Sequence, residues 1–443
     1  MKSPDKKPNL DRLFILDHRG SRKYVYPADV SGFYQRIKSV LLSLLMLVYF
    51  GLPWVKIAGR PAILIDIKAR HFYLLGQVFN AQDFFLAFFL ASGAAFFLIV
   101  LTAFVGRIWC GWLCPQTVFV EGVFRRIERW IEGPAHQRQR LAQAPWTASK
   151  IVQKFSKHII YIFISIFTNY TFLKYFNENK NIILYFLSIF IYFNFYWFRE
   201  QFCVILCPYG RMQSALQDRD TIHINYDSKR GETRGKARDT TAGDCVDCGR
   251  CIAVCPTGID IRNGLQMECL ECANCIDACN AIMNKLGRPL GLIRYDSLRG
   301  LETGKRRFLR PRMVGYALAG IAGLAIATTL WLKRPPFNAN LLRVQGIPFT
   351  LEQGIIRNQF MIHLTNKNNH SAVFQLQNVS ENRVQVILPL QTLSLQPLQS
   401  FQTPVIVELP IKAYVRGMKT HIRVSDSVSG QSQVLQGTLI GPL

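Results

Sequence analysis

Acidic residues and histidine are scarce in this chain of 443 residues. There are 28 Asp and Glu against 53 Lys and Arg, so the formal net charge is +25, and there are only 8 His. No helix-turn-helix, aromatic–basic platform or zinc-finger spacing accompanies the positive charge, which argues against nucleic acid as a partner. The hydrophobic fraction of 49%, with 31 Phe, favours a membrane instead. Neither His71 nor His158 pairs with another His at haem-ligand spacing, so we do not predict bis-histidine haem.

The motifs of nucleotide-driven and nicotinamide-dependent enzymes are missing as well. The sequence has no G-x4-G-K-[ST] loop, so ATP-driven transport is unsupported, and no G-x-G-x-x-G fingerprint, so no nicotinamide or flavin domain is predicted. The polar segment 1–36 holds no short apolar core followed by a small-residue cleavage site, and we therefore expect no signal peptide. No cysteine is left for casual packing, because all 12 fall in four motifs.

Eight cysteines form two consecutive C-x2-C-x2-C-x3-C runs. The first run is followed by Pro256 and the second by Asn280, where two-cluster ferredoxins often have Pro. In such ferredoxins the fourth Cys of each run ligates the other cluster. The spacing therefore predicts two [4Fe–4S] clusters: cluster 1 held by Cys245, Cys248, Cys251 and Cys279, and cluster 2 held by Cys269, Cys272, Cys275 and Cys255. Zinc sites usually have a longer gap between C-x2-C pairs, and disulfides would need an oxidising compartment.

Five apolar segments are long enough to predict membrane spans, each of which needs roughly 20 residues. They are about 37–55, 84–106, 158–176, 182–199 and 313–332. The third and fourth are rich in aromatic residues and are interrupted by Asn169 and Asn194, so a pair of buried soluble helices is the alternative for these two.

The Lys and Arg residues between the spans predict the orientation, because cytoplasmic loops carry an excess of them. Segments 1–36, 107–157 and 199–312 carry 8, 9 and 19, whereas 56–82 carries only 4. We therefore expect a cytoplasmic N-terminal segment 1–36, a membrane domain 37–199 with four spans, a cytoplasmic ferredoxin domain 200–312, a fifth transmembrane helix 313–332 and an external domain 333–443. Reducing conditions in the cytoplasm suit clusters and free thiols.

Residues 333–443 change character, since charge thins and no Cys occurs. β-rich runs recur between polar turns, and short strands at such spacing predict an antiparallel sandwich. The runs are Phe360–Leu364, Ala372–Gln377, Val384–Leu388, Val405–Leu409 and His421–Val424. We find no catalytic constellation there and expect a docking or structural module.

The other four cysteines form two C-x3-C-P motifs, Cys110–Pro115 and Cys203–Pro208, each just past a predicted span. Cysteines at i and i+4 share a helix face, and the following Pro ends or bends the helix. Positive charge from Arg107 and Arg199 is expected to favour thiolates. Because soft thiolates select Cu(I), zinc or iron–sulfur clusters, the repeat predicts a metal or redox site of up to four sulfurs: Cys110, Cys114, Cys203 and Cys207. The alternative is two helix ends with buried structural cysteines. We also considered Met212, Met267 and Met283 as weaker candidates for sulfur ligands.

These motifs, with Trp109-Cys110-Gly111-Trp112 and the C-terminal β module, make the chain resemble the FixG/RdxA/CcoG family of bacterial cytochrome c oxidase accessory proteins. The resemblance covers almost the whole chain. It implies a role in assembling the cbb3-type haem–copper oxidase, reduction of Cu(II) to Cu(I) at the four membrane-edge cysteines, and an immunoglobulin-like C-terminal domain. It further implies the bacterial inner membrane as location, a periplasmic C-terminal domain, and a copper chaperone or transporter and oxidase assembly factors as partners.

Three functions remain open on the sequence, all within a multi-domain membrane protein with an α-helical membrane part, a ferredoxin-like α+β insert and an all-β C-terminal sandwich. The first is a cupric reductase acting in oxidase assembly, fed by an unidentified electron donor. The second is a respiratory membrane ferredoxin that takes electrons from quinol, since quinol-dehydrogenase ferredoxins share the C-x3-C-P motifs. The third is a scaffold in which the clusters only hold the fold together.

Overall fold

A computed structural model describes residues 24–57, 60–68, 71–80, 84–176, 181–239, 241–333, 335–368, 370–380 and 383–442. Most of the predicted N-terminal segment 1–36 thus lies outside the described residues. The chain forms two compact units. The first comprises residues 1–56 and 88–325, and the second comprises residues 57–87 and 326–443.

The helices follow the apolar and motif-bearing segments. In chain order they are α1 (Phe33–Gly51), α2 (Phe84–Val105), α3 (Ile108–Trp112), α4 (Pro115–Phe119), α5 (Arg125–Glu132), α6 (Ala135–Gln143), α7 (Ala148–Lys174), α8 (Asn181–Phe193), α9 (Pro208–Leu216), α10 (Ser228–Gly231), α11 (Arg250–Ala253), α12 (Asn274–Lys285), α13 (Leu298–Thr303) and α14 (Pro311–Leu332). Three π-helical turns lie beside the C-x3-C-P motifs: Val120–Phe124, Asn194–Phe198 and Phe202–Leu206. Such turns often mark functional sites.

Among the described residues, four helical stretches are long and apolar enough to cross a membrane: Phe33–Trp54, Ala87–Val105, Asn181–Phe198 and Pro311–Leu332. They correspond to the first, second, fourth and fifth predicted spans. The third predicted span lies within α7, which is not among the four, so the count of five is not confirmed. The reason is visible in α7 itself, which buries Ser165, Thr168 and Asn169 and is therefore less apolar than the other four.

The ferredoxin part consists of a two-stranded antiparallel sheet and the two cysteine loops. Strand β6 (Ile222–Tyr226) pairs antiparallel with β7 (Ile293–Ser297), placing Ile224 opposite Tyr295. The loops before α11 and α12 have the same backbone, since Gly249 and Ala273 both have φ 63° and ψ 5°. The two cysteine runs are therefore duplicated in structure as well as in sequence.

The second unit holds a β-sandwich. Its strands are β8 (Phe337–Arg343), β9 (Thr350–Glu352), β10 (Ile355–Asn366), β11 (Ala372–Asn378), β12 (Gln385–Ile387), β13 (Thr392–Leu395), β14 (Ser400–Pro410), β15 (Lys419–Asp426) and β16 (Ser432–Thr438). One sheet has the order β12-β14-β10-β8 with β9 on β10, and the other has the order β13-β11-β15-β16. Alternate residues such as Ile362, Phe374, Val405 and Ile422 fill the core between the sheets. The prediction of a C-terminal sandwich is confirmed.

Each of the five predicted β-rich runs falls on one of these strands, but several strands escaped prediction. The segment 56–82 contains β1 (Lys56–Ile57), β2 (Arg60–Pro61), β3 (Ile63–Asp66), β4 (His71–Leu74) and β5 (Gln77–Asn80), and β3, β4 and β5 form a meander. Strands β8, β9, β13 and β16 were also missed. They are short or rich in Asn, Gln and Ser, and each ends its sheet or pairs on one side only, where polar residues are tolerated.

Candidate functional site

Cysteines from both runs surround one cavity in the ferredoxin part. Its walls include Cys245, Cys248, Cys251 and Cys279, together with Tyr226, Ile282, Met283, Leu292 and Ile293. Cys279 belongs to the second run and reaches this cavity because it lies one helical turn after Cys275 on α12. The structure thus brings together the four cysteines predicted for cluster 1, while their ligation of iron stays a prediction.

The complementary set of four cysteines lines a second cavity. This cavity is lined by Cys255, Cys269, Cys272 and Cys275, with Cys251 and the side chains of Ile224, Pro256, Thr257, Ile259, Ile261 and Leu270. Cys255 is the fourth cysteine of the first run, so each run contributes one thiol to the cavity of the other. These are the four cysteines predicted for cluster 2.

The chemistry of these cavities fits an iron–sulfur cluster. Burial raises the pKa of the Cys251 thiol to about 11 and that of the Cys272 and Cys279 thiols to about 12. Neighbouring thiols add to the rise because several negative charges in one cavity repel each other. Iron bound at these positions would supply the positive charge that makes thiolates stable there. Four soft sulfur donors in a mostly apolar cavity are what a [4Fe–4S] cluster requires.

The two C-x3-C-P motifs have the same local structure at the second cysteine and the following Pro, whereas Cys110 lies in α3 and Cys203 in a π-helical turn. Cys114 and Cys207 are extended N-cap residues of α4 and α9, with Pro115 and Pro208 as the first helical residues. The N–H of Cys114 donates to the Trp109 carbonyl at 2.9 Å, and the N–H of Cys207 donates to the Phe202 carbonyl at 2.9 Å. The continuous helix face that the spacing suggested is therefore interrupted, because the residue before proline is forced out of the helical conformation.

Gln213 joins the first motif to the helix that follows the second motif. This side chain is fully buried on α9, and its Nε2 donates to Cys110 Sγ at 3.3 Å. A Cβ on Gly210 would lie 3.9 Å from the Cys207 Cβ, and the Gly210 carbonyl accepts a hydrogen bond from Arg107. The two motifs therefore lie side by side, and a thiolate at Cys110, Cys114 or Cys207 would raise the pKa of the Cys203 thiol.

Buried ion pairs hold the two motifs next to each other. Arg199, just before the second motif, forms hydrogen bonds through both terminal guanidinium nitrogens to the buried Glu128 of α5, and Arg125 of α5 pairs with Glu200. Between them, Gln116 Nε2 donates to the Arg199 carbonyl at 3.0 Å. Breaking one partner of such a buried pair is costly because an uncompensated charge remains.

The expectation that Arg107 and Arg199 would favour thiolates is wrong for Cys110, Cys114 and Cys203 as free thiols. Burial raises the pKa of Cys110 to about 11 and raises the pKa of Cys114 and Cys203 as well. Arg199 is committed to Glu128, and Arg107 donates to the carbonyls of Met267 and Gly210. Desolvation therefore outweighs the positive charge at this position.

The first motif packs directly on the second cysteine loop of the ferredoxin part. A Cβ on Gly111 would come within 2.4 Å of the Leu270 carbonyl oxygen and 2.9 Å of the Glu271 backbone. Trp112 Nε1 donates to the Glu271 carbonyl at 3.2 Å, and the Arg107 N–H donates to the Glu271 carboxylate at 2.9 Å. Leu270 and Glu271 separate Cys269 from Cys272, so the membrane-edge thiols adjoin the cluster 2 cavity.

Across the described residues, no three His, Cys, Asp or Glu side chains converge tightly enough to hold one metal ion. The four membrane-edge thiols are thus neighbours without forming a ready-made tetrahedral site. Met283 lines the cluster 1 cavity, whereas Met212 and Met267 are exposed. His158 Nδ1 lies 2.8 Å from the Tyr192 hydroxyl, and His71 lies on β4.

Sequence reasoning missed Gln213, Gly111 and the Glu128–Arg199 pair. Only Gly111 could have been found from the sequence, because a glycine that follows a motif cysteine and lies between two tryptophans suggests that another part of the backbone comes close to it. Gln213 and Glu128 look like ordinary polar helix residues, and their importance depends on long-range contacts.

Comparisons with known families agree with this arrangement. Residues 198–298 match the family described as "4Fe-4S dicluster domain", and residues 327–442 match the one described as "IG-like fold at C-terminal of FixG". Residues 86–134, which include Cys110 and Cys114, match a "4Fe-4S binding domain". Apolar helices combined with cysteine-lined cavities and these matches define an iron–sulfur electron-transfer protein of the membrane.

Similar proteins identify the family. Protein RdxA of Cereibacter sphaeroides is 36% identical over 80% of this chain and 82% of its own length. Nitrogen fixation protein FixG of Rhizobium meliloti is 33% identical over 78% of this chain and 77% of its own length. Protein RdxB of Cereibacter sphaeroides is 33% identical over 81% of this chain and 83% of its own length. The chain therefore belongs to the FixG/RdxA family.

A solved structure gives a weaker likeness. The crystal structure of a FixG-related protein from Vibrio parahaemolyticus covers 25% of this chain and 99% of its own, with 15% identity and a TM-score of 0.22. That score is too low to define a shared fold.

Proposed function

We propose that this protein carries electrons from the cytoplasmic side to copper at the membrane edge, reducing Cu(II) to Cu(I) for assembly of a cbb3-type oxidase. The observation that carries the proposal is the contact of Gly111 and Trp112 with the loop between Cys269 and Cys272. It puts the Cys110 motif against the cavity of cluster 2, so an electron has only a short distance to travel between them.

Within this proposal each residue set has a defined task. Cys245, Cys248, Cys251 and Cys279 hold one [4Fe–4S] cluster, and Cys269, Cys272, Cys275 and Cys255 hold the other. When bound, such clusters accept and donate single electrons. The apolar walls around the thiols keep water away, and the hydrogen bond of Cys255 Sγ with the Thr257 hydroxyl, at 3.3 Å, orients one ligand.

Copper is the substrate in this reading and not a resident cofactor. Thiols from Cys110, Cys114, Cys203 and Cys207 bind it transiently, which does not require three or four converged ligands beforehand. Each cysteine that binds copper releases its thiol proton to water. Cu(II) gains one electron, the reduced protein loses one, and the thiolates stabilise the soft Cu(I) product. The Cu(I) would pass to a copper chaperone, a transporter or an oxidase assembly factor.

The proposed topology comes from the basic segments and not from the fold. Residues 1–36, 107–157 and 200–312 would lie in the cytoplasm and 333–443 in the periplasm of a bacterial inner membrane. In this topology α7 would supply the fifth crossing through 158–176, with its buried polar residues turned toward the other helices.

The test is anaerobic. The purified protein is reduced, Cu(II) is added, and cluster oxidation is followed together with Cu(I) formation. Cys110→Ser combined with Cys203→Ser should retain the iron content and slow Cu(II) reduction strongly, whereas Ser214→Ala on α9 should behave like the parent protein. Equal Cu(I) formation in the double variant would remove these cysteines from the reaction. Rapid oxidation of the reduced protein by a quinone, with no response to copper, would favour a quinol-linked carrier.

A further inference from the structure

The two cluster cavities differ in their access to solvent. Of the eight ferredoxin cysteines, Cys248 alone is exposed, and it lines the cluster 1 cavity. The cluster 2 cavity is covered by the first C-x3-C-P motif, since Gly111 and Trp112 pack on its loop. An electron that leaves toward the membrane-edge thiols passes the covered cavity, so the exposed edge at Cys248 is the side open to a donor.

The backbone beside Cys248 leaves room for a partner. Gly249 has φ 63°, and a Cβ added there would meet nothing within 4 Å. Its counterpart in the second loop, Ala273, is fully buried. The same loop conformation is therefore open in one run and enclosed in the other. A partner can come close to the Cys248 edge because no side chain stands at position 249.

Cations lie on the chain segments next to this opening. Lys236, Arg238, Arg250, Lys285 and Arg288 have no carboxylate partner among the described residues. We call these five, with Cys248, the Cys248 surface. Arg250 lines the cavity itself and donates to the Asp29 carbonyl. Arg288 donates to the Asp244 and Ala237 carbonyls, which ties the loop that carries Lys236 and Arg238 to this side.

Nearby carboxylates do not cancel this charge. Glu232, Asp244 and Asp247 pair with Arg234, Arg230 and Arg262. Asp260 shares Arg262 with Asp247, and Asp239 accepts from the Thr241 hydroxyl. These two remaining negative charges face five cations, so the surface stays positive. An excess of one sign around a redox centre accelerates the approach of a partner of opposite sign.

The position of Lys285 favours a protein over a lipid surface. Helix α12 receives the start of α1 near its own beginning, where Asp277 accepts from the Tyr34 and Gln35 N–H groups. Lys285 lies eight residues farther along α12, which is about 12 Å at the helical rise. Lys285 therefore lies at the end of α12 that is remote from the first membrane helix, whereas Arg250 contacts Asp29, four residues before that helix begins.

From these observations we propose that the Cys248 surface is the docking site of a small acidic one-electron carrier protein, which reduces the cluster at Cys248. This inference rests on the electron-carrying function proposed above and names its donor. In the step itself the carrier loses one electron and the cluster gains one, with no bond made and no proton moved.

The experiment uses the full chain with its clusters in nanodiscs of neutral phosphatidylcholine, under anaerobic conditions, with an acidic flavodoxin as the probe. Binding of the oxidised flavodoxin is measured through its flavin signal, and cluster reduction by the photoreduced flavodoxin is followed by stopped flow. The binding affinity and the rate of cluster reduction should both decrease as the salt concentration rises, because screening shortens the range of the attraction. Lys236→Glu with Lys285→Glu should lower the second-order rate constant by about tenfold at low salt. The matched control Lys305→Glu, an exposed cation elsewhere in the same unit, should change it little.

Three outcomes would overturn the proposal: a parent rate constant that does not depend on salt, an unchanged rate constant in the double variant, or an equal loss in Lys305→Glu. A loss seen only in nanodiscs with anionic phosphatidylglycerol would assign the surface to lipid instead. Reduction by photoexcited deazaflavin, a small neutral reductant, checks that the variant keeps its clusters. If the variant has lost its clusters, the salt dependence of the parent protein decides whether the proposal holds. Copper reduction by the deazaflavin-reduced protein does not need this surface, so the two proposals fail separately.

Discussion

At the scale of single residues, the contact of Gln213 with Cys110 is the one most specific to the thiol site. The fully buried amide donates to a sulfur that is itself buried. A polar group in such a position orients the ligand that it touches, and partners of this kind affect metal affinity or activity by about 10–100-fold. Gln213 is therefore a positioning residue for the proposed copper site.

Replacing Gln213 by Leu, which is similar in size, should slow Cu(II)-dependent oxidation of the reduced protein by about tenfold or more. Iron content and the cluster EPR signals should stay unchanged, since Gln213 lies in neither cysteine cavity. The apparent affinity for copper, measured by competition with a Cu(I) chelator, should weaken in parallel. A variant with normal copper affinity and rate would make Gln213 a packing residue only.

Cys255 allows a second test at the residue scale, because its place in the sequence and its place in the fold differ. It belongs to the first run but lines the cavity of Cys269, Cys272 and Cys275. Cys255→Ser should therefore disturb the cluster 2 signal and spare cluster 1, and Cys279→Ser should do the reverse. Anaerobic iron analysis of the parent should give about eight Fe per chain. Loss of the cluster 1 signal in Cys255→Ser would contradict the exchange of ligands between the runs.

At the scale of secondary-structure elements, the first membrane helix begins on the ferredoxin part. Helix α1 has Gly32 at its N-cap and no side-chain cap of its own. Asp277 of α12 takes that role, since its carboxylate accepts from the Tyr34 N–H at 3.3 Å and the Gln35 N–H at 2.8 Å. A Cβ on Gly32 would collide with this carboxylate at 2.2 Å. The N-terminal end of α1 is thus hydrogen-bonded to a side chain of α12, although the two helices lie far apart in the sequence.

Asp277→Ala should lower the thermal midpoint of the loaded protein in detergent, because a lost helix cap costs about 1 kcal/mol and the negative charge also favours the helix N-terminus. Asp277→Asn keeps one acceptor oxygen and should lose less. Asp239→Ala, in an exposed loop, is the control and should have no comparable effect. If Ala and control variants melt alike, the cap contributes nothing measurable.

At the scale of the whole molecule, the proposed topology is open to a direct test. Reporter fusions at residues 140, 230 and 430 should report cytoplasm, cytoplasm and periplasm. The physical reason is the concentration of Lys and Arg in 107–157 and 199–312, against 4 in 56–82. A periplasmic signal at 230 would place the thiols in an oxidising compartment and would also contradict electron input from the cytoplasm.

The sequence predicted the elements whose chemistry is local. Cysteine spacing indicated two clusters, long apolar runs indicated four of the membrane helices, and alternating runs such as Phe360–Leu364 indicated a sandwich. It failed for β3, β4 and β5, whose strands of four residues carry no clear alternation. The third predicted span, on α7, stays a prediction, because α7 buries the polar residues Ser165, Thr168 and Asn169 and is less apolar than the other four.

By itself, the sequence determined which residues could bind iron and copper, since ligand type and short spacing need no knowledge of the fold. Only the tertiary structure decided which other residues contact them. It placed Gln213 on Cys110 and Gly111 on the loop between Cys269 and Cys272. It also showed that burial raises the pKa of Cys110 to about 11 despite the adjacent Arg107. The physical reason is that desolvation and backbone contact depend on neighbours more than 100 residues away, which local spacing does not encode.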